Sequence, residues 1–158
     1  MPESTAPLAA LFALYQNAPL HMKLQPDRFD VQSILGYGPG WVGIGSNGVA
    51  EKIEHSIVIG SRGEKFAWNC QHFDQLNEGH FSVLAATLPE LIIFGSGTRL
   101  RFPPPAFLRL LMEKRIGIET MDTLAACRTY NILAGEGRRV LAALLIESDE
   151  PAERAKTD

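Results

Sequence analysis

The chain has 158 residues, 46% of them hydrophobic and 21% charged, with a net charge of −3. Such a length suits one domain that buries roughly 70% of the surface its unfolded chain exposes, so a core can form without disulfides or metal. The overall charge does not point to nucleic acid or an anionic membrane, and the apolar stretch Leu8–Tyr15 is far too short to span a bilayer.

The first 21 residues carry no Lys or Arg. This argues against a secretory signal or an Arg-rich transit peptide. The sequence therefore predicts a flexible extension over 1–21, a single α/β domain over 22–146 and a flexible acidic tail over 147–158.

Within the domain, the first half reads as β. Ile34–Tyr37, Trp41–Ile44 and Ser56–Ile59 are short apolar runs broken by Gly, Pro and Asn. Asn47-Gly48 is a strong hairpin signal, because both residues tolerate the positive φ of a type I′ turn. Glu64–Trp68 is a candidate further strand. The second half changes period. Leu91–Phe94 is continuously apolar, as a strand buried on both faces requires. Pro104-Pro105 opens a helix to about Lys114, and Ile118–Met121 is the next strand. Asp122 or Thr123 can cap a helix over Leu124–Ala134, with Gly135 and Gly137 at its exit. Val140–Ile146 is a last strand. Strand, helix, strand, helix, strand is the signature of parallel crossover units. The expected fold is a three-layer α/β domain: a mixed sheet, an N-terminal β-hairpin layer and a C-terminal βαβαβ half.

Two stretches match G-x-G-x-x-G: Gly38-Pro-Gly40-Trp-Val-Gly43 and Gly43-Ile-Gly45-Ser-Asn-Gly48. A dinucleotide site needs that fingerprint between a strand and a helix. The β-branched, alternating Val49–Gly60 that follows predicts a hairpin instead.

Gly95-Ser96-Gly97-Thr98 leaves a buried strand ahead of a helix, where open α/β sheets place ligands, and Arg99 and Arg101 add positive charge. Against an anion cradle, Pro103-Pro104-Pro105 removes three N–H donors, so a tight strand exit is the competing reading. On the Thr123–Asn131 helix, Cys127, Arg128 and Asn131 share a face, with Thr129 at its side. They either form a polar site facing the Gly95–Gly97 loop or hydrogen-bond backbone and fix the fold. The candidate ligand-binding set is thus Gly95, Ser96, Gly97, Thr98, Arg99, Arg128, Thr129 and Asn131.

Cys70, His72 and Asp74 are close in sequence, but a thiolate nucleophile draws its base and oxyanion donors from other segments. No catalytic residue, no cofactor and no metal site is predicted, since His21, His55, His72 and His80 lack ligand spacing. Aromatics are not interleaved with basic residues, which argues against nucleic acid. Two distant cysteines without a CxxC read as reduced thiols of a cytoplasmic protein. From Gly95 to Val140, eight basic residues face four acidic ones, giving +4 and leaving −7 on the remainder. That segment is either a basic face for an acidic partner or a set of helix faces paired with the acidic remainder.

Pro89-Glu-Leu-Ile-Ile-Phe-Gly95-Ser-Gly97, Gly117-Ile-Glu-Thr-Met-Asp-Thr123, Cys127-Arg-Thr-Tyr-Asn-Ile-Leu133 and Glu136-Gly-Arg138 together resemble one family. It is the domain-of-unknown-function family that includes NADH:ubiquinone oxidoreductase complex assembly factor 3 and an adipogenesis-associated cytosolic protein. The resemblance spans about Met22–Ile146 and places Gly95–Gly97 on the family's G-x-G element. It implies a three-layer α/β fold with a mixed sheet, no established enzyme activity, and protein contacts in assembly of a respiratory complex. Mitochondrial relatives carry an import segment, which the N-terminus here does not resemble. The expectation is a non-enzymatic interaction or assembly-type protein with a protein partner and no membrane insertion. The competing expectation is a small-ligand or anion binder, or a cryptic enzyme, at the Gly95–Gly97 loop.

Overall fold

The computed structural model describes residues 31–46 and 49–147. The extension 1–21, the expected domain start near Met22, Asn47-Gly48 and residues 148–158 lie outside the described residues. Among the described residues, three antiparallel strands come first: β1 (Ser33–Gly38), β2 (Trp41–Ser46) and β3 (Val49–Ile53). Ser46 stands opposite Val49, the register of a two-residue hairpin connection.

The larger sheet contains β4 (Ile57–Gly60), β5 (Lys65–Ala67), β6 (Leu91–Gly95), β7 (Gly117–Met121) and β8 (Val140–Leu144), in the order β5-β4-β8-β6-β7. β6 runs parallel to both β7 and β8, while β4 is antiparallel to β8 and to β5, so the sheet is mixed. Three α-helices accompany it: α1 (Glu78–Ala85), α2 (Arg109–Glu113) and α3 (Thr123–Gly135).

The topology dictates the layers. The chain moves from β6 outward to β7, then back across β6 to β8. Right-handed crossovers in opposite directions place their helices on opposite faces. Accordingly α2 packs on one face with α1, and α3 packs on the other with the small sheet.

Strand alternation then sorts the core. Ile57, Ile59, Ile93, Ala142 and Leu144 join Val42, Ile44 and Tyr130 on the α3 side. Val58, Ile92, Phe94, Leu141 and Ala143 join Phe81, Leu84 and Leu111 on the other. Both faces of β4, β6 and β8 are buried, which is why their sequences are continuously apolar.

Two local elements differ from the sequence expectation. The unit opened by the prolines begins as a 3-10 turn over Pro105–Leu108, and α-helix proper covers just Arg109–Glu113. Prolines at its start supply no donors and a fixed φ, so the tighter turn comes first. Helix α1 was not expected from the sequence at all. Its start is a reciprocal cap: the His80 amide donates to Asn77 Oδ1 at 3.2 Å, and the Asn77 amide donates to His80 Nδ1 at 3.1 Å. Histidine here takes the position at which Glu or Gln is the familiar signal.

Candidate functional site

The site begins where β6 ends, at Gly95. Gly95 comes so close to α3 that a Cβ there would lie 3.0 Å from Thr123 Cα and 3.1 Å from Ala126 Cβ. Gly97 has φ +100°, and a Cβ on it would collide with Glu147 and Arg101. The G-x-G spacing thus lets a strand pass under a helix and then turn sharply.

The donors of this loop are used within the chain. The Ser96 amide donates to Met121 O at 2.8 Å, and the Gly97 amide donates to Thr123 Oγ1 at 2.9 Å. Thr123 Oγ1 in turn donates to Leu145 O at 2.7 Å, and the Thr123 amide donates to Gly97 O at 2.8 Å. The fully buried Ser96 hydroxyl donates to Arg99 O at 2.7 Å and accepts from the Arg101 amide at 3.0 Å. At the head of α3, Asp122 Oδ1 accepts from the Ala125 amide at 2.9 Å. At Ser96 and Gly97 an anion would therefore meet occupied amides, with the carboxylates of Asp122 and Glu147 at the same turn.

Arg101 closes the turn. Its guanidinium donates to Ser96 O, pairs with Glu147 and lies 4.7 Å above the Phe73 ring. Glu147 also accepts from the Phe73 amide at 3.1 Å. The sequence assigns Glu147 to the tail, yet this residue is anchored at the turn.

Between the β1–β2 turn and the β6 exit lies a cleft of about 160 Å³. Gly38, Trp41, Gly97, Thr98, Leu124 and Leu145 form much of its wall. Gly97 and Thr98 are therefore the members of the candidate set that border it. Arg99 follows them at the exposed surface. From α3 the cleft receives Thr123 and Leu124; Arg128, Thr129 and Asn131 are not among its lining residues.

The first G-x-G-x-x-G match has a separate explanation. Trp41 Cη2 lies 3.6 Å from where a Cβ on Gly36 would stand, and the ring crosses Gly38 and Gly43 as well. These glycines make room for an indole lying across the small sheet, with Lys52 Nζ 5.4 Å from its centroid.

The other two polar groups of α3 bind the small sheet. Asn131 Oδ1 accepts from the Ile34 amide at 2.9 Å, and its Nδ2 donates to Ile34 O at 2.7 Å. A side-chain amide thus completes the edge of β1 as a neighbouring strand would. Tyr130 Oη donates to Gln32 O at 2.7 Å. Arg128 Nη1 donates to Tyr37 Oη at 3.3 Å. Thr129 is half-buried. Asn131→Ala is expected to cost about 1–3 kcal/mol, since two backbone groups of a buried residue lose their partners. Urea unfolding measures it, and a midpoint equal to that of the unmutated chain would contradict the edge-completing role.

Charge pairing draws on both parts of the sequence. Arg101, Arg109 and Arg138 pair with Glu147, Glu78 and Glu90, all three acids lying outside the basic segment. Arg99, Lys114, Arg115, Arg128 and Arg139 have no carboxylate partner among the described residues.

The cysteines are poorly placed for chemistry. Cys70 and Cys127 are buried in the clusters on opposite faces of the large sheet. Burial pushes the Cys70 thiol up, and it pushes Cys127 up from 9.0 to about 12. Cys70 Sγ donates to His72 O at 3.1 Å, so the thiol meets a carbonyl and not an imidazole base. Among the described residues no group of three His, Cys, Asp or Glu could hold a metal. At pH 8 both thiols are expected to resist a thiol reagent until denaturant is added; rapid native-state labelling would contradict their burial. Above pH 9 the unfolded Cys127 thiol ionises while the folded one stays neutral. Stability therefore falls as pH rises from 9 towards 12, and Cys127→Ala should flatten that slope.

Sequence reasoning named Arg101 beside the G-x-G loop as added positive charge and not as its clamp, and it missed Glu147 and the Trp41 wall of the cleft. No spacing links these residues; they meet through the pairing of β6 with β8 and the packing of one sheet against α3.

With this geometry, the chain finds its relatives. Residues 34–145 match the family model described as "Protein of unknown function (DUF498/DUF598)". A curated bovine relative, NADH dehydrogenase [ubiquinone] 1 alpha subcomplex assembly factor 3, is 35% identical over 80 residues, which cover 49% of this chain and 44% of the relative. The Homo sapiens protein of the same name is 28% identical over 137 residues, covering 84% of this chain and 70% of that one. The chain spans about half the length of the first curated relatives it matches. The solution structure of a Bordetella pertussis protein described as an Mth938-like domain superposes with a TM-score of 0.66 at 27% identity, over 82% of this chain and 94% of that chain. The match of residues 34–145, which takes in the eight strands, from Ile34 onward, and the three α-helices of the described residues, makes this chain a member of the DUF498/DUF598 family.

Proposed function

We propose that the chain is a non-enzymatic assembly-type protein that binds a protein partner during the building of a respiratory NADH dehydrogenase or a comparable membrane complex. The observation that carries this reading is the likeness to proteins named as assembly factors of that complex. The geometry supports it from the chemical side. The amides of Ser96 and Gly97 are used within the fold, and both thiols are buried and kept protonated. What the surface does present is a cleft with exposed cations at its border, which suits recognition more than bond-making. Among the described residues no helix is long and apolar enough to cross a membrane. A contact with the membrane complex is then made through its protein subunits. A cytoplasmic location is part of the proposal, supported by two unpaired thiols held on opposite sides of one sheet.

The test is affinity purification of the tagged full chain after mild cross-linking in the cells that express it. NADH dehydrogenase subunits or partly built intermediates should be enriched over a tag-only control, and deletion of the chain should lower the amount of finished complex. If neither is seen, the assembly role is abandoned.

A further inference from the structure

The cleft between Trp41 and the Gly97 turn has a size that selects its occupant. At about 160 Å³ it is smaller than the roughly 300–1,000 Å³ of pockets built for metabolites. It fits one bulky side chain. Its walls are apolar where they are free: Trp41, the 41%-exposed Leu124, Leu145 and Ile146. Three of the polar groups that border it are already used. The Gly97 amide and Thr123 hydroxyl bond each other, and Glu147 is held by Arg101 and the Phe73 amide. A polar ligand would find few partners inside.

The border is charged in one sense. Arg99 follows the lining residue Thr98 and is exposed. Arg128 lies one helical turn beyond Leu124, on the same stripe of α3, and is bonded to the neutral hydroxyl of Tyr37. Neither has a carboxylate partner among the described residues. The acids nearby are Asp122, engaged as the α3 cap, and Glu147, neutralised by Arg101; Lys52 over Trp41 is paired with Glu54. The uncompensated charge at the border is positive.

We infer that this cleft docks an acidic segment of a partner protein: one leucine or phenylalanine enters beside Trp41 and Leu124, and flanking carboxylates meet Arg99 and Arg128. This rests on the interaction reading above and names the partner's chemistry. A buried apolar anchor with a charged border is the arrangement of energetic centres in protein interfaces.

The experiment uses the purified full chain and an array of synthetic peptides of about nine residues. The central residue is Phe, Leu or Ala, and the flanks are Glu/Asp, Ser or Lys. Acidic peptides centred on Phe or Leu should bind. Central Ala or Lys flanks should weaken binding by about tenfold or more, the change expected on losing an anchor or a charge pair. Leu124→Glu should do the same with an unchanged melting temperature, since an acidic residue suits the first turn of a helix, and so should the Arg99→Glu/Arg128→Glu pair, both side chains being exposed. Titration with a binding peptide should change the Trp41 emission, with Trp41→Phe as the control.

The inference is overturned if no peptide binds at millimolar concentration. It is also overturned if Lys-flanked peptides bind equally well or if Leu124→Glu has no effect. Binding to anionic vesicles that Leu124→Glu abolishes would move the surface to lipid and overturn it too. The two readings separate cleanly. If the chain recovers NADH dehydrogenase subunits but binds no peptide, the assembly role stands and this docking site falls; the reverse pattern leaves the docking site and removes the assembly role.

Discussion

Phe94→Ala is expected to destabilise the chain by about 3–5 kcal/mol, the cost of removing a fully buried aromatic ring from a core that cannot collapse around the void. Phe94 has no exposure and stands in the continuously buried β6. Its ring meets Phe81 edge-on at 5.5 Å and Trp68 at 5.9 Å, and stacks on Phe73 at 6.5 Å. These partners come from α1, the segment after β5, and the 3-10 turn at Phe73–Gln75. The ring thus ties together three pieces of the chain, two of which also meet directly through the Trp68–Phe81 ring contact at 5.9 Å and the bond from Trp68 Nε1 to His80 O at 3.1 Å. Each aromatic pair adds about 0.5–1.5 kcal/mol beyond area burial, which puts the expected value towards the top of the range. The melting temperature should fall by roughly 10–15 °C. Phe94→Leu keeps much of the volume and should cost less than half as much. A fall under about 3 °C for the alanine variant would mean that this cluster contributes little.

Thr123→Val comes next, at about 2–4 kcal/mol, although it keeps the shape of the side chain. The hydroxyl accepts from the Gly97 amide and donates to Leu145 O, and both bonds are buried. Valine leaves a donor and an acceptor without partners in the interior, at about 1–2 kcal/mol each, the lower part of the range for unsatisfied buried groups. Thr123→Ser retains both bonds and loses one methyl group, so it should cost about 1 kcal/mol. Urea midpoints at unchanged slope measure the difference. Equal midpoints for the valine and serine variants would show that the hydroxyl is not the hub of the turn.

The βαβαβ half was legible because its signals are local. Leu91–Phe94 and Val140–Ile146 are apolar at every position, as strands covered on both faces must be, and Asp122 marks the helix start by its own side chain. Helix α1 was not legible. It is short, contains Gly79 and the β-branched Val83, and takes its start signal from an Asn77–His80 exchange that resembles no common motif. At the site, the glycines of Gly95-Ser96-Gly97 could be read as a sharp exit, but what the turn is built against could not. Thr123, Arg101 and Glu147 reach it from three separate parts of the chain. Of the polar side chains of α3, Asn131 turned out to bond the backbone of β1 instead of facing the glycine loop, a choice decided by how the small sheet packs.

The amide of Asn131 has a consequence for the order of events during synthesis. The residue it holds, Ile34, precedes it by 97 positions, and Tyr130 reaches back 98 positions to Gln32. β4 likewise waits for β8, whose Leu144 lies opposite Ile57. A ribosome therefore releases the N-terminal meander long before the surface that receives it exists. Contacts of such separation slow folding and leave early strands exposed. The nascent chain has to keep β1, β2 and β3 from foreign partners until the α3 residues Tyr130 and Asn131 have been made.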